Sequence, residues 1–235
     1  MSYRYLATGK RQLIQYLACN LLPKGYVFYT TFMIPKDKDA ELIDAKLITK
    51  YATHLHKQKA YRRKKGGQAI VKYVRLGNLA ILLATKGESA FFNDESWKDA
   101  RDNPIVLFGY SLAVNKETGK VSVRLHRETQ RRLKKFLLTW GNRRSREWWE
   151  AWVRKFPFSA YAGVRDNLFS LIRFLNDNRK SFKQLPIEWK RCVRKKIKPM
   201  VCLHESSKEL LQLLEWCYSQ EASAKRKRAI PARNS

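Results

Sequence analysis

Apolar positions recur along this chain with two different periods, and the changes of period mark out its elements. From Arg11 to Leu22, Leu13, Ile14, Leu17 and Leu21 share one face of a helix that Pro23-Lys24-Gly25 stops. Tyr26–Ile34 (YVFYTTFMI) is β-branched and aromatic, is closed by Pro35, and predicts a strand. Asp37 and Asp39 then open a helix with acids in its first turn, where the helix dipole favours them. Ile43, Leu47, Ile48, Tyr51 and Leu55 form its stripe, and the pattern carries this helix through a basic block to Gly66-Gly67. Two hairpins follow. Ala69–Leu76 and Leu79–Ala84 flank Gly77-Asn78, a connection suited to a tight primed turn. Ile105–Val114 and Val121–Leu125 flank Asn115–Lys120, and in the latter strand Val and Leu face one way while Ser122 and Arg124 face the other. The polar stretch between the hairpins, Gly87 to Asn103, carries Phe91, Phe92 and Trp97 as anchors.

Beyond Arg127 the period is helical throughout. Leu133, Phe136, Leu137 and Trp140 mark one helix, ended by Gly141. Trp148, Trp149, Trp152 and Phe156 mark a second, and consecutive Trp148 and Trp149 cannot both face one core. Val164, Leu168, Leu171, Ile172 and Leu175 give the cleanest stripe, over Val164–Arg179, and Leu210–Trp216 completes the set. The predicted class is α+β: a roughly five-stranded, mainly antiparallel sheet with a packed helix in residues 1–126, then a helical region in 127–220. A basic tail, 221–235, has no apolar periodicity and reads as disordered.

Composition narrows the function. With 235 residues, 44% hydrophobic and 12% aromatic, the chain has the apolar content of a folded protein, which excludes a disordered polybasic arm. Against 20 Asp+Glu stand 49 Lys+Arg, a formal net charge of +29, and self-repulsion on that scale calls for a polyanionic partner. The excess sits in three blocks. Ala45 to Gly87 holds eleven basic residues and no acid, among them Lys57, Lys59, Arg62, Arg63, Lys64, Lys65, Lys72 and Arg75. Lys120 to Arg146 holds ten against Glu128, including Arg124, Arg127, Arg131, Arg132, Lys134, Lys135, Arg143 and Arg144. Asn178 to Met200 holds nine against Glu188, including Arg191, Arg194, Lys195 and Lys196. Such blocks neutralise phosphates and bind nucleic acid with strong salt dependence. Tyr61, Tyr73, Tyr110 and Trp189, interleaved with them, are candidates to stack on unpaired bases. RNA is favoured over DNA because no helix-turn-helix or zinc-finger pattern is evident and the aromatics suit unpaired bases.

Other features fit an intracellular protein of cytoplasm or nucleoid with no membrane partner. No uncharged run, Leu76–Thr85 among them, is long enough to span a bilayer, and Met1-Ser2-Tyr3-Arg4-Tyr5 lacks a signal-peptide core. Cys19, Cys192, Cys202 and Cys217 have no metal-site spacing and fit buried thiols in a reducing compartment, so neither a metal nor a cofactor is expected.

The sharpest enzymatic lead is His54-Leu55-His56. It resembles the His-hydrophobic-His pair of replication-initiator and small-transposase nucleases. That resemblance implies a strand placing both imidazoles on one Mg2+ or Mn2+ ion while a tyrosine, Tyr110 or Tyr161, attacks the phosphate. Helical periodicity over residues 40–56 opposes this, because side chains two apart on a helix diverge. Asp44-Ala45-Lys46 and Glu188-Trp189-Lys190 match the acid-x-Lys tail of restriction-type nucleases but fall in predicted helix rather than on a strand. Glu88, Asp94, Glu95, Asp99 and Asp102 form an acidic cluster, able either to hold Mg2+ or to relieve local repulsion. Phe108–Lys135 looks like the hairpin-to-thumb junction of reverse transcriptases without the carboxylate pair a polymerase needs. Finally, LATKGESAFF at Leu83–Phe92, FGYSL at Phe108–Leu112 and YAGVRDNLFSLIRFLN at Tyr161–Asn176 resemble small basic proteins of unassigned function associated with mobile genetic elements. The expectation is a nucleic-acid-binding accessory subunit of a mobile-element or ribonucleoprotein complex, in contact with other protein subunits. The alternative is a metal-dependent single-strand endonuclease.

Overall fold

A computed structural model describes residues 5–156 and 158–188. Helix α1 (Lys10–Tyr16) runs on through a widened turn, Leu17–Leu21, and a tight one, Leu22–Lys24. Strand β1 (Phe28–Met33) leads to α2 (Ala40–Lys50) and α3 (Lys57–Lys65), then β2 (Val71–Leu76), β3 (Leu79–Ala84), a single turn α4 (Phe91–Asp94) and β4 (Lys98–Asp99). Strands β5 (Ile105–Leu107), β6 (Tyr110–Val114) and β7 (Val121–Leu125) follow, then α5 (Arg127–Trp140), α6 (Arg146–Arg154) and α7 (Ala162–Ser181).

The class is α+β, as the periodicity predicts, but the strands form two antiparallel sheets: four in the order β2-β3-β1-β4, and three in the order β5-β6-β7. The reason lies in IVLFGYSLAV, which reads as one strand and is two. The chain reverses at Phe108 and Gly109, both at positive φ (50° and 80°), and Leu107 pairs with Tyr110 across the turn. Two successive positive-φ residues make the primed turn that matches strand twist. A Cβ on Gly109 would lie 2.9 Å from Thr129 Oγ1 and 3.2 Å from Phe158.

Strand β3 (LAILLA) is buried on both faces, which is why it reads as an unbroken apolar run. Ile81 and Leu83 join a core that takes in Leu13 and Ile14 of α1 and Leu17 just beyond it, then Ile105, Leu112, Val123 and Leu125 of the second sheet. The same core continues through Leu133 and Leu137 of α5, Trp149 of α6, and Leu171 and Leu175 of α7. Ala80, Leu82 and Ala84 face the other way, with Tyr73, Tyr51 and Phe91, beneath Ile43 and Leu47 of α2. One apolar core therefore continues across residue 126. Residues 189–235, including Leu210–Trp216 and the basic tail, lie outside the described residues.

The long helix expected from Asp37 to Gly66 is two helices. Asp39 caps α2 by accepting from the Glu41 N–H (2.8 Å). The helix ends at Tyr51, where Ala52 turns left-handed (φ 47°), its N–H donates to the Thr49 carbonyl (3.2 Å), and the Thr53 N–H reaches back to Ile48 (3.1 Å). That geometry satisfies the last carbonyls of a helix and normally uses glycine. Burial of Tyr51 and Thr53 holds alanine in it. Ala52→Gly is therefore expected to stabilise the fold by about 0.5–1 kcal/mol, relieving the left-handed cost. The same change at exposed Ala45 inside α2 should destabilise it by about 1 kcal/mol; paired urea titrations giving the same sign for both would contradict this account of the break.

Candidate nucleic-acid interface

Helix α3 (KQKAYRRKK) buries none of its side chains. Lys57, Lys59, Arg62, Arg63, Lys64 and Lys65 turn ~100° per residue about its axis and leave no uncharged face. Not one of these six pairs with a carboxylate among the described residues. A helix that is polar all round gains nothing from packing and has to be held at its ends. At its C-terminus Gly67 (φ 79°) forms a left-handed cap, with the Gly67 N–H on Lys64 (3.2 Å) and the Gln68 N–H on Arg63 (3.0 Å). The same backbone is fastened to the loop after β3: the Glu88 N–H donates to Gly67 (3.0 Å), and the Ala69 N–H donates to Glu88 (2.9 Å). Only glycine permits this approach at residue 87, whose Cβ would stand 2.5 Å from the Gly67 carbonyl oxygen. Before its N-terminus, the Lys72 ammonium on β2 donates to the Thr53 carbonyl (3.0 Å). Tyr61 projects from this helix 70% exposed, an aromatic ring among cations.

Several carboxylates elsewhere pair with other cations. The acidic cluster of the Gly87–Asn103 stretch is dispersed into separate contacts. Asp94 pairs with Lys50 (3.1 Å), Asp99 with Arg101 (2.6 Å) and Asp102 with Lys116, while Glu95 accepts from the Tyr51 hydroxyl (2.7 Å). Burial and the bond to Glu95 push the Tyr51 phenol up to about 12. Burial works against the Asp99 charge, but bonds from the Arg101 side chain and N–H outweigh it and hold that carboxyl below the usual range. On α5, Glu128 pairs with Arg132 (3.2 Å) and Arg131 (3.8 Å).

The sequence-derived binding residues therefore divide. The six cations of α3 and Tyr61 share one projecting helix. Arg127, Arg131, Arg132, Lys134 and Lys135 are exposed on α5, with the Lys134 ammonium over the Phe174 ring (5.5 Å). Arg124 is exposed on β7, and Arg143 and Arg144 occupy the α5–α6 turn. Arg191, Arg194, Lys195 and Lys196, and Trp189, lie outside the described residues. Two residues belong to the interior instead. Lys72 is half-buried on Thr53, and burial lowers its pKa. Arg75 reaches Asp44 through Nε (2.9 Å) and Nη2 (2.8 Å), and the Tyr73 hydroxyl donates to the other oxygen of the same carboxylate (2.6 Å). Asp44, 1% exposed, is thereby a structural carboxylate on the buried face of α2 rather than a metal ligand on a strand. Tyr73 and Tyr110 are buried, so neither offers a ring face to a base.

The His-hydrophobic-His geometry is not formed. His54 sits in the turn after α2 and His56 is the N-cap of α3, both exposed and neither on a strand. The Tyr110 hydroxyl accepts from the Ser159 N–H (2.7 Å), and burial raises its pKa; burial pushes Tyr161 up to about 12. Among the described residues no three His, Cys, Asp or Glu side chains are grouped to hold a metal, and no helix is long and apolar enough to cross a membrane.

Sequence reasoning missed what surrounds Arg144. Its guanidinium lies over the rings of both Trp140 (5.2 Å) and Trp148 (5.4 Å). Trp149 is fully buried and packs edge-on against Trp148 (4.9 Å). The signal was the diverging Trp148-Trp149 pair beside Arg143-Arg144, which left one indole to find a partner outside the core.

Removing one member of a buried ion pair strands the other charge at a cost of about 3–5 kcal/mol. Arg75→Met should therefore destabilise the protein by that amount in urea unfolding, whereas Arg62→Met should leave the midpoint unchanged. Equal effects would erase the division between interior and surface cations. No protein-family model matches this chain, and no curated protein matches it significantly.

Proposed function

We propose that the protein binds nucleic acid, RNA in preference to DNA, through the phosphate backbone. The supporting observation is α3: six cations on nine residues, none paired with an acid among the described residues, on a helix that buries nothing and is fastened at both ends. A helix contributing so little to the core has its charge to offer rather than its packing. Arg127, Lys134 and Lys135 on α5 and Arg143 in the α5–α6 turn extend the positive surface, and the exposed ring of Tyr61 would stack on an unpaired base. RNA is favoured because single-stranded loops splay bases onto exposed aromatic and guanidinium groups. The setting that fits a charge of +29 is an accessory subunit of a ribonucleoprotein or mobile-element complex, where the RNA supplies the balancing anions.

The test is the fourfold variant Arg62→Glu, Arg63→Glu, Lys64→Glu and Lys65→Glu. Since α3 buries no side chain, thermal unfolding should be little changed. Affinity for single-stranded RNA should fall about 100-fold or more at moderate salt, and the slope of log K against log salt should shrink by about 3, as four lost phosphate contacts require. Unchanged affinity in a folded variant would remove α3 from the interface. Sequencing the nucleic acid stripped from protein purified out of its native host would separate a dedicated RNA partner, seen as one dominant species, from backbone-only binding, seen as a random mixture.

A further inference from the structure

The α5–α6 turn is built differently from α3. Its backbone is held from three sides by side chains of α6, α7 and the segment beyond. Arg179, 3% exposed, donates through Nη1 to the carbonyls of Gly141 (2.8 Å) and Arg144 (2.9 Å), and through Nε to Leu185 (3.0 Å). The Trp149 indole N–H also donates to Gly141 (3.3 Å), and the Gln184 amide donates to Asn142 (2.8 Å). Ser145 then caps α6 by accepting from the Trp148 N–H (3.3 Å). Three carbonyls in four residues, those of Gly141, Asn142 and Arg144, thus accept from side chains. What this framework presents is Arg144, half-buried, shared by two indoles and without a carboxylate partner among the described residues. Arg143 lies over Trp140 as well (5.8 Å).

A buried guanidinium such as Arg179, satisfied by carbonyls alone, is expensive, and burial lowers its pKa. A turn that only needed to connect two helices would not require it. The result is an arginine fixed at both backbone and side chain. Such a fork loses little entropy on binding, and its planar donors match a pair of acceptors approached edge-on.

We propose that Arg144 is a preorganised fork that takes one two-acceptor group of the bound nucleic acid: the non-bridging oxygens of a phosphate, or the O6/N7 edge of a guanine. The inference rests on the nucleic-acid reading above and adds to it a fixed contact distinct from the exposed cations of α3. Lysine keeps the charge and loses the fork, so Arg144→Lys separates the two kinds of contact.

The experiment measures binding of a GU-repeat RNA, and of the same RNA carrying 7-deazaguanine, to the wild type, Arg144→Lys and Arg62→Lys. Arg144→Lys should weaken binding about tenfold, as loss of one bidentate contact does, with the salt slope unchanged, and Arg62→Lys by less than twofold. If 7-deazaguanine weakens the wild type and not Arg144→Lys, the acceptor is guanine; if it affects both alike, the acceptor is phosphate. Trp148→Leu, which removes one ring and no charge, should reproduce the loss and decides the matter if Arg144→Lys melts early. Losses for Arg144→Lys and Trp148→Leu no greater than for Arg62→Lys, with wild-type binding intact, would overturn the fork. Absence of wild-type binding would overturn the functional reading itself.

Discussion

A chain with 49 basic and 20 acidic side chains has to decide where its few carboxylates go, and most of this structure follows from that allocation. Asp44 stands on the buried face of α2, where it neutralises Arg75 and holds the Tyr73 hydroxyl, joining the helix to the sheet. Asp94, Asp99 and Asp102 neutralise cations near the edge of the first sheet, and Glu128 and Glu150 pair along α5 and α6. Acids thus hold the framework together at these points, while the buried Arg179 is met by backbone carbonyls instead. On α3 no acid is spent, and the six positive charges there are kept apart from the core by a helix that touches it with no buried side chain.

Much of the fold was legible because its signals are local. LAILLA reads as a strand covered on both faces, the two-residue connection Gly77-Asn78 sets the register of β2 against β3, and the stripe from Val164 to Leu175 lies on α7. What escaped were reversals made without the usual residue. Ala52 ends α2 in a left-handed conformation that a reader expects to be announced by glycine, so the helix was carried on to Gly66. Phe108 takes positive φ inside an apolar run, so two strands read as one and two sheets as one. In both places tertiary burial outweighed a local preference of about 1–2 kcal/mol.

The candidate interface residues divide along the same line. Composition marked the basic blocks, and α3 carries the first of them outward. Composition had no means of telling Lys72 and Arg75 from their neighbours, because their roles depend on Thr53 and Asp44 lying beside β2 in the fold. The break at Ala52 leaves His54 and His56 at helix ends, one in a turn and one as a cap, beside the basic block. Arg144 was visible only as one more basic residue. Its distinction comes from Trp140, Trp148 and a guanidinium thirty-five positions away in sequence.

The contact between Gly67 and Gly87 has a mechanical consequence. Because α3 is fastened at one end to the loop leaving β3 and at the other, through Thr53, to β2, a pull on it is not taken up by a slack connection. The load passes into the β2–β3 hairpin, whose six paired positions from Val71↔Ala84 to Leu76↔Leu79 share it along their length. A partner tugging on this arm would therefore be resisted by the most deeply covered strand of the protein, and the arm would behave as a rigid handle rather than a tether.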